Sequence, residues 1–278
     1  MKDNARMDIW KERGLEEDRE YAVYLGPLCL RLRRVEDEWL VAYDYNLETV
    51  STEPDFLEKE KSDSVVWSRF VVNGHFSDIK LIPVLPDRPV VVSSENPIMI
   101  MPGSSALFFV TVPVWVRLCT GKNGTITLTD IPSAPLSNTW FGDPLNGELA
   151  YSSRTQARRT AAEAPSLPNR VICPVRVGNS STEPLDLQKL CIHVEHLKVY
   201  REKPGESHSE DGGTNRLWTN EVLITFYGID LMSKIDYTKE LYPIKGTYEL
   251  MSGERVPYDT GLLKRSVGIL KYFTHFES

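Results

Sequence analysis

The chain has 278 residues, of which 41% are hydrophobic and 26% are charged, and its formal net charge is −7. These values are typical of a folded globular protein, and the length allows one large all-β domain or two smaller domains. Nonspecific nucleic-acid binding depends on clustered cations, so the mildly acidic balance argues against a general phosphate-binding surface. We therefore expect no nucleic-acid partner.

The N-terminal residues 1–20 alternate charges and lack the apolar core of a secretory signal, so we interpret them as a polar tail. The most apolar stretch, residues 106–118, is interrupted by Pro113 and Arg117 and is too short to span a membrane as a helix. The four cysteines are too widely spaced for a metal-type pair, which predicts buried, reduced thiols. Together these features favour a cytoplasmic location.

A β-hairpin is the first regular element that the sequence predicts. Leu28, Leu30 and Leu32 alternate with other residues, a charged turn follows at 36–38, and the alternation resumes at Trp39. A period of two with branched and aromatic residues is typical of strands that have one buried face.

Short strands separated by turn residues continue along most of the chain, which predicts a mainly β protein with two packed β-sandwich units of the immunoglobulin-like or jelly-roll-like type. An Ala- and Arg-rich stretch interrupts the strand pattern and favours a helix until Pro165. The predicted organisation is a first sandwich unit at 21–151, a helical linker at 152–169, a second sandwich unit at 170–259 and a C-terminal helix at 260–278.

The predicted C-terminal helix is amphipathic, and basic residues flank its apolar face. That face consists of Leu263, Val267, Leu270 and Phe273. Two interpretations remain open. The face either packs on its own sandwich as a lid or projects as an element that binds a partner or a membrane surface.

The sequence contains no P-loop, dinucleotide fingerprint, nucleophile elbow or zinc-protease motif, so we predict no catalytic residue and no cofactor. His193 and His196 are three positions apart, which would suit a metal site on a helix. They lie in a β-patterned run, where a period of two places them on opposite faces. We therefore predict no metal site.

One segment, residues 137–154, combines aromatic, acidic and amide side chains around a turn rich in glycine. It is either a tight turn with core aromatic residues or a polar docking surface rimmed by aromatic residues. We also predict that one or both of Gly142 and Gly147 have a positive φ, where a side chain is costly. The candidate binding surface consists of Trp140, Asp143, Asn146, Glu148, Tyr151 and Arg154.

The run from Trp140 to Glu148, followed by Tyr151 and Arg154, resembles a segment of an uncharacterised prokaryotic family, the domain of unknown function 432. The proline and glycine pattern between Pro97 and Val114 is also similar to that family. The resemblance implies no established activity, ligand or site residue. It also implies that genes of such proteins lie near genes of small mechanosensitive channels, an association that favours action with a membrane channel and a peripheral association with a membrane protein.

These observations favour a noncatalytic protein-interaction or adaptor module with a protein partner or a second copy of the chain. The alternative is a small-ligand-binding protein or an enzyme with a pocket near Trp140 to Arg154, in which Arg31 or Arg88 would bind an anion. A deep pocket with converging polar groups would favour the alternative, whereas an exposed apolar patch would favour the interaction module.

Overall fold

The structure is a computed structural model. It describes residues 8–62, 64–142, 144–145, 147–153, 158–164, 167–203, 216–228, 233–241 and 247–256, and it does not describe the side chains of 94–97 and 240. The predicted C-terminal helix, with its face of Leu263, Val267, Leu270 and Phe273, lies outside the described residues.

The described residues form a mainly β chain, which confirms the predicted fold class. The part of the chain that the structure describes contains nineteen strands. They are, in chain order, β1 (Arg13–Gly14), β2 (Glu20–Leu25), β3 (Leu28–Val35), β4 (Glu38–Tyr45), β5 (Asp55–Lys59), β6 (Ser68–Val71), β7 (Asp78–Val84), β8 (Val90–Ile100), β9 (Ser105–Pro113), β10 (Trp115–Thr120), β11 (Ile126–Pro132), β12 (Ser137–Phe141), β13 (Glu148–Ser153), β14 (Arg170–Asn179), β15 (Leu185–Ile192), β16 (Val199–Glu202), β17 (Leu217–Phe226), β18 (Ser233–Leu241) and β19 (Tyr248–Ser252). Short 3-10 helices lie at Lys122–Gly124 and Val194–His196. Neither these helices nor any other helix in the described part of the chain has the length and apolar character needed to cross a membrane.

The chain divides into two compact units, and neither is continuous in sequence. Unit 1 consists of Met1–Val84, Pro113–Pro135 and Leu167–Asn169, and unit 2 consists of Leu85–Val112, Leu136–Ser166 and Arg170–Ser278. Unit 1 contains a sheet with the order β1-β7-β10-β11 and a sheet with the order β5-β2-β3-β4-β6. Unit 2 contains a sheet with the order β12-β13-β8-β15 and a sheet with the order β19-β16-β17-β14-β9, in which β18 also pairs with β17.

The predicted hairpin is present in unit 1 as β3 and β4. Leu30 pairs with Tyr43 and Leu32 with Val41, while Val35 and Glu38 close a two-residue loop. The first loop residue, Glu36, has a φ of +53°, as this kind of tight hairpin turn requires. The preceding hairpin of β2 and β3 turns at Gly26, which has a φ of +59° and where an added Cβ would clash with the Asn169 side chain.

The segment that we predicted to be a polar tail is packed where the structure describes it. Ile9, Trp10 and Leu15 are buried in unit 1, and Arg13 of β1 pairs with Ile79 of β7. The prediction rested on the high charge of residues 1–20, in which these few apolar residues are widely spaced. Their burial nevertheless removes enough apolar surface from water to hold the segment on the sheet.

Unit 2 also departs from the predicted boundaries. Residues 85–112 and 136–151, which we assigned to the first unit, belong to it. The cause is nonlocal strand pairing, because β8 pairs in parallel with β13 and in antiparallel with β15. In the predicted helical linker, β13 extends to Ser153 and the described residues 158–164 form turns and a bridge between Phe109 and Arg158.

A buried ion pair stabilises the two-strand contact of β2 and β3 in unit 1. Glu20 is 1% exposed, and its Oε1 accepts a hydrogen bond from Arg31 Nη1 at 2.8 Å, while its Oε2 accepts one from the backbone N–H of Ser62. This hydrogen bond to Glu20 raises the pKa of Arg31. A buried charge is tolerated only when it is paired, so each partner fixes the position of the other.

We predict that Arg31→Met lowers the free energy of unfolding by on the order of 3 kcal/mol, because it leaves the Glu20 carboxylate buried without its cation. Urea denaturation followed by circular dichroism measures this change. Arg69→Met is the matched control, because Arg69 pairs with Glu38 but its side chain is 66% exposed, and it should cost much less. Equal losses in both variants would contradict this account of the pair.

Candidate functional site

The hairpin of β12 and β13 carries the candidate surface, and one of its faces belongs to the core of unit 2. Phe141 pairs with Glu148 across the hairpin, and Trp140 pairs with Leu149. Phe141 is 2% exposed and forms an apolar cluster with Ala150, Val91 and Cys191. Because side chains alternate along a strand, the neighbouring pair of Trp140 and Leu149 lies on the opposite face.

The turn of this hairpin has the conformation that the sequence predicts. Gly142 has a φ of +106°, and an added Cβ would lie 2.8 Å from the Cα of Gly147. The prediction of a positive φ at one or both glycines is therefore confirmed at Gly142. Asp143, Asn146 and Arg154 of the candidate surface lie outside the described residues.

The face opposite the core combines an exposed apolar pair with a buried polar base. Trp140 is 53% exposed and Leu149 is 44% exposed, whereas Tyr151 is only 8% exposed. The Tyr151 hydroxyl donates a hydrogen bond of 2.8 Å to Asp87 Oδ1, and the Arg88 guanidinium lies 5.6 Å from the centre of the Tyr151 ring. Burial raises the pKa of Tyr151, and its hydrogen bond to Asp87 raises it further.

Glu148, the remaining described member of the candidate surface, lies on the other face of the hairpin with a different set of residues. Its Oε1 is 3.1 Å from His193 Nε2, an ion-pair contact whose direction departs from hydrogen-bond geometry. The Cys191 thiol donates a long hydrogen bond of 3.7 Å to the same oxygen. The other ring nitrogen of His193, Nδ1, is hydrogen-bonded to Glu195 Oε1 at 3.2 Å.

The prediction that His193 and His196 lie on opposite faces of a strand is wrong. Strand β15 ends at Ile192, and the 3-10 helix Val194–His196 follows directly. The tighter backbone places the two imidazole rings side by side, with centroids 6.3 Å apart and planes 25° apart. The alternation of apolar and polar residues continues from Ile192 to Glu195, past the end of β15, and slips by one position only at the adjacent polar residues Glu195 and His196. That slip was the one signal in the sequence that the strand does not continue.

The segment of the two histidines is held by the backbone of residues 255 and 256. The N–H groups of Arg255 and Val256 donate to the carbonyl of Glu195 at 2.9 and 3.1 Å. His196 Nδ1 lies 2.8 Å from the carbonyl oxygen of Val256, an acceptor that requires the proton on this nitrogen. In the neutral tautomer, Nε2 of His196 therefore carries a lone pair.

The charges around His193 determine its protonation. Burial lowers the pKa of His193, but the contacts with the Glu148 and Glu195 carboxylates outweigh burial and raise its pKa to about 9. The ring is therefore an imidazolium between two carboxylates at neutral pH when no other cation is present.

Two overlapping sets of side chains in this cluster have the donor types and the spacing of a metal site. In each set the ligand atoms lie within 4.8 Å of one another. One set is Glu148, Cys191 and His193, and the other is His193, Glu195 and His196. We predicted no metal site because a strand would place His193 and His196 on opposite faces. The structure places the two rings side by side, so this reason no longer holds.

The two arginines considered as anion ligands have protein partners. Arg31 is paired with buried Glu20 in unit 1, and Arg88 Nη1 lies 3.4 Å from Asn138 Oδ1 beside Tyr151 in unit 2. A cavity of about 430 Å³ in unit 1 is lined by five residues outside the candidate surface. They are Glu17, Arg34, Glu36, Asp37 and His75.

We predict that Gly142→Ala lowers the free energy of unfolding by about 1 kcal/mol or more, because alanine must adopt a positive φ and its Cβ would clash with the Gly147 backbone. Chemical denaturation measures the loss. Gly103→Ala is the matched control, because Gly103 has a φ of +70° and open space around the added Cβ. It should therefore cost less. A loss at Gly142 no larger than at Gly103 would mean that the close approach does not matter.

We predict that the difference in unfolding free energy between the wild type and His193→Gln depends on pH, measured with EDTA-treated protein. The folded-state pKa of about 9 exceeds the ordinary value of 6.5, so the charged imidazole stabilises the fold fully below pH 6.5. That contribution, on the order of 3 kcal/mol, is lost as the pH rises through 9. The difference in unfolding free energy should therefore be largest near pH 6 and shrink near pH 10. A difference that is constant or grows with pH would contradict the ion pair.

No curated protein and no solved structure matches the chain. A family model does match, over residues 9–270, and its description is "Protein of unknown function (DUF432)". This range covers nearly the whole chain and includes the strands of both units, the β12–β13 hairpin and the Glu148–His193 cluster. The chain is therefore a member of the DUF432 family.

Proposed function

We propose that the protein is a noncatalytic protein-interaction module and that its contact surface is the outer face of the β12–β13 hairpin. The observation that carries this proposal is the exposed cross-strand pair of Trp140 and Leu149, which are 53% and 44% exposed. Leu145, in the turn of the same hairpin, is 91% exposed.

Large apolar side chains in this arrangement are suited to protein contacts. Tryptophan is enriched among the residues that dominate binding energy, because it buries a large area with few rotatable bonds. Trp140 and Leu149 are directly opposite each other, so a partner can cover both at once. Their burial by a partner would remove from water the apolar surface that the hairpin exposes.

The base of this surface is rigid, which reduces the entropy lost on binding. Tyr151 is hydrogen-bonded to Asp87, and Arg88 lies over the Tyr151 ring and near Asn138. The core cluster around Phe141 fixes the hairpin from its other face. A pre-organised surface binds more tightly than a mobile surface with the same contacts.

Strand β12 also offers a mode of contact, because it is the outermost strand of its sheet in the described part of unit 2. An edge strand can pair with a strand of another protein, which adds backbone hydrogen bonds to the side-chain contacts. We propose that the partner adds a strand to β12 and covers Trp140. We propose two sources of that strand, which are a second copy of the chain and, from the family resemblance alone, a membrane-channel protein.

We also propose a cytoplasmic location. This proposal is supported by the four cysteines, which are all free and buried, because free thiols are usual in proteins of a reducing compartment. Their burial is the state that the sequence predicts.

We predict that Trp140→Ser combined with Leu149→Ser abolishes partner binding and leaves the melting temperature within a few degrees, because both side chains are about half exposed. Val71→Ser is the matched control, because Val71 is 69% exposed on β6 of unit 1. Sedimentation of the purified chain measures self-association. A photoreactive amino acid at position 140, compared with one at position 71, reports other partners in the cell.

We expect either self-association of the chain or a discrete protein crosslinked to position 140. The Leu149→Ser substitution should abolish whichever of the two is observed. A channel protein in the crosslink would identify the partner class that the family resemblance implies. Two results would overturn the proposal. One is a monomer with no crosslink at position 140 above that at position 71, and the other is unfolding of the Trp140→Ser variant.

A further inference from the structure

The cluster beside the hairpin contains a feature that the ion pairs of His193 do not explain. Glu195 Oε2 is buried and has no hydrogen-bond partner, and its side chain is only 12% exposed. A buried carboxylate oxygen in a native structure is normally hydrogen-bonded or bound to a cation. His196 Nε2, which carries a lone pair in the neutral tautomer, lies 4.0 Å from the other oxygen of the same carboxylate.

We propose that His193, Glu195 and His196 form a binding site for a divalent transition-metal ion of the Zn²⁺ class. The ligand atoms are His193 Nδ1, a carboxylate oxygen of Glu195 and His196 Nε2. Two imidazoles and one carboxylate are a donor set that Zn²⁺ and its first-row neighbours prefer, whereas Mg²⁺ and Ca²⁺ prefer oxygen ligands.

The separations of these atoms suit a small ion. Metal–nitrogen and metal–oxygen bonds of about 2.0–2.1 Å in a tetrahedron place neighbouring ligand atoms about 3.3 Å apart. His193 Nδ1 and Glu195 Oε1 are 3.2 Å apart, and His196 Nε2 is 4.0 Å from the same oxygen. Binding of an ion therefore requires that His196 Nε2 and the Glu195 carboxylate move closer together. Three protein ligands leave at least one position for water or another ligand.

The residues around the ligands match what a metal site requires of its surroundings. A ligating imidazole usually donates its second N–H to a carboxylate or a backbone carbonyl, which fixes the ring and its tautomer. The Val256 carbonyl lies 2.8 Å from His196 Nδ1. Glu148 Oε1 lies 3.1 Å from His193 Nε2 in an ion-pair contact, which becomes a hydrogen bond only after a reorientation of the two side chains. Glu148 is thus a positioning residue for His193, and the carbonyl of Val256 has the same role for His196.

The charges of the cluster also suit a divalent ion. With the imidazole of His193 neutral, Glu148 and Glu195 contribute two negative charges that are mostly shielded from solvent, since their side chains are 34% and 12% exposed. A proton on His193 compensates one of these charges, whereas a divalent ion compensates both. Metal binding therefore replaces the imidazolium and removes the excess negative charge.

The alternative set, with Cys191 in place of Glu195 and His196, fits less well. Cys191 is completely buried in the apolar cluster of Phe141, Ala150 and Val91. An ion at that sulfur would enter the core, and it would use the His193 nitrogen that faces Glu148. The proposed set instead lies on the 3-10 helix Val194–His196 and on His193, the residue before it, and it leaves Cys191 in its apolar surroundings.

Calorimetric titration of the EDTA-treated full chain with Zn²⁺ tests this proposal. We expect one ion per chain, and affinities that fall at least 100-fold in Glu195→Gln and in His196→Gln. Glu148→Gln should lower the affinity by about 10–100-fold, because it acts through His193. Two matched controls should bind as the wild type does. They are His75→Gln, at an exposed histidine of unit 1, and Cys191→Ser, at the buried thiol of the alternative set.

The absorption spectrum of the Co²⁺-substituted wild type gives a second measurement that does not depend on the folding of any variant. We expect ligand-field bands without the intense charge-transfer band of a Co²⁺–thiolate bond. A charge-transfer band would overturn the proposal, because it would place Cys191 in the site. Two other results would also overturn it. They are the absence of stoichiometric Zn²⁺ binding to the wild type and undiminished binding to folded His196→Gln.

Discussion

The ion pairs of His193 with Glu148 and Glu195 are the constraint on which the site of unit 2 depends. A charge that is held mostly away from water needs an opposite charge beside it, so the three side chains constrain one another's positions. Glu148 begins β13, whereas Glu195 belongs to the 3-10 helix after β15. The ion pairs therefore join the hairpin to the segment of the two histidines, and Val256 holds that segment from its other side.

The same short strand serves both proposals from its two faces. Glu148 and Ala150 face the cluster and the core, while Leu149 faces outward beside Trp140. The inner contacts hold the hairpin in one conformation, and this rigidity makes its outer face suitable for binding.

Alternating patterns allowed the sequence to predict local structure well. The leucines of β3, the turn at Glu36 and the tight turn at Gly142 follow from side-chain periodicity and backbone sterics, which act over a few residues. Periodicity and backbone sterics do not predict which strands from distant parts of the chain pair with one another. The parallel pairing of β8 with β13 brings distant segments into one unit, and nothing in either segment alone specifies that pairing. The placement of His193 failed because the polar–apolar alternation continues past the end of β15.

A double-mutant cycle of Glu148→Gln and His193→Gln tests most directly whether the ion pair of these two residues organises this part of the molecule. The unfolding free energies of the wild type, both single variants and the double variant would be measured in EDTA near neutral pH. The account predicts a coupling energy of about 1–3 kcal/mol, because either substitution alone removes the shared contact. Losses that add to within about 0.5 kcal/mol would contradict it, because they would mean that Glu148 and His193 do not stabilise each other.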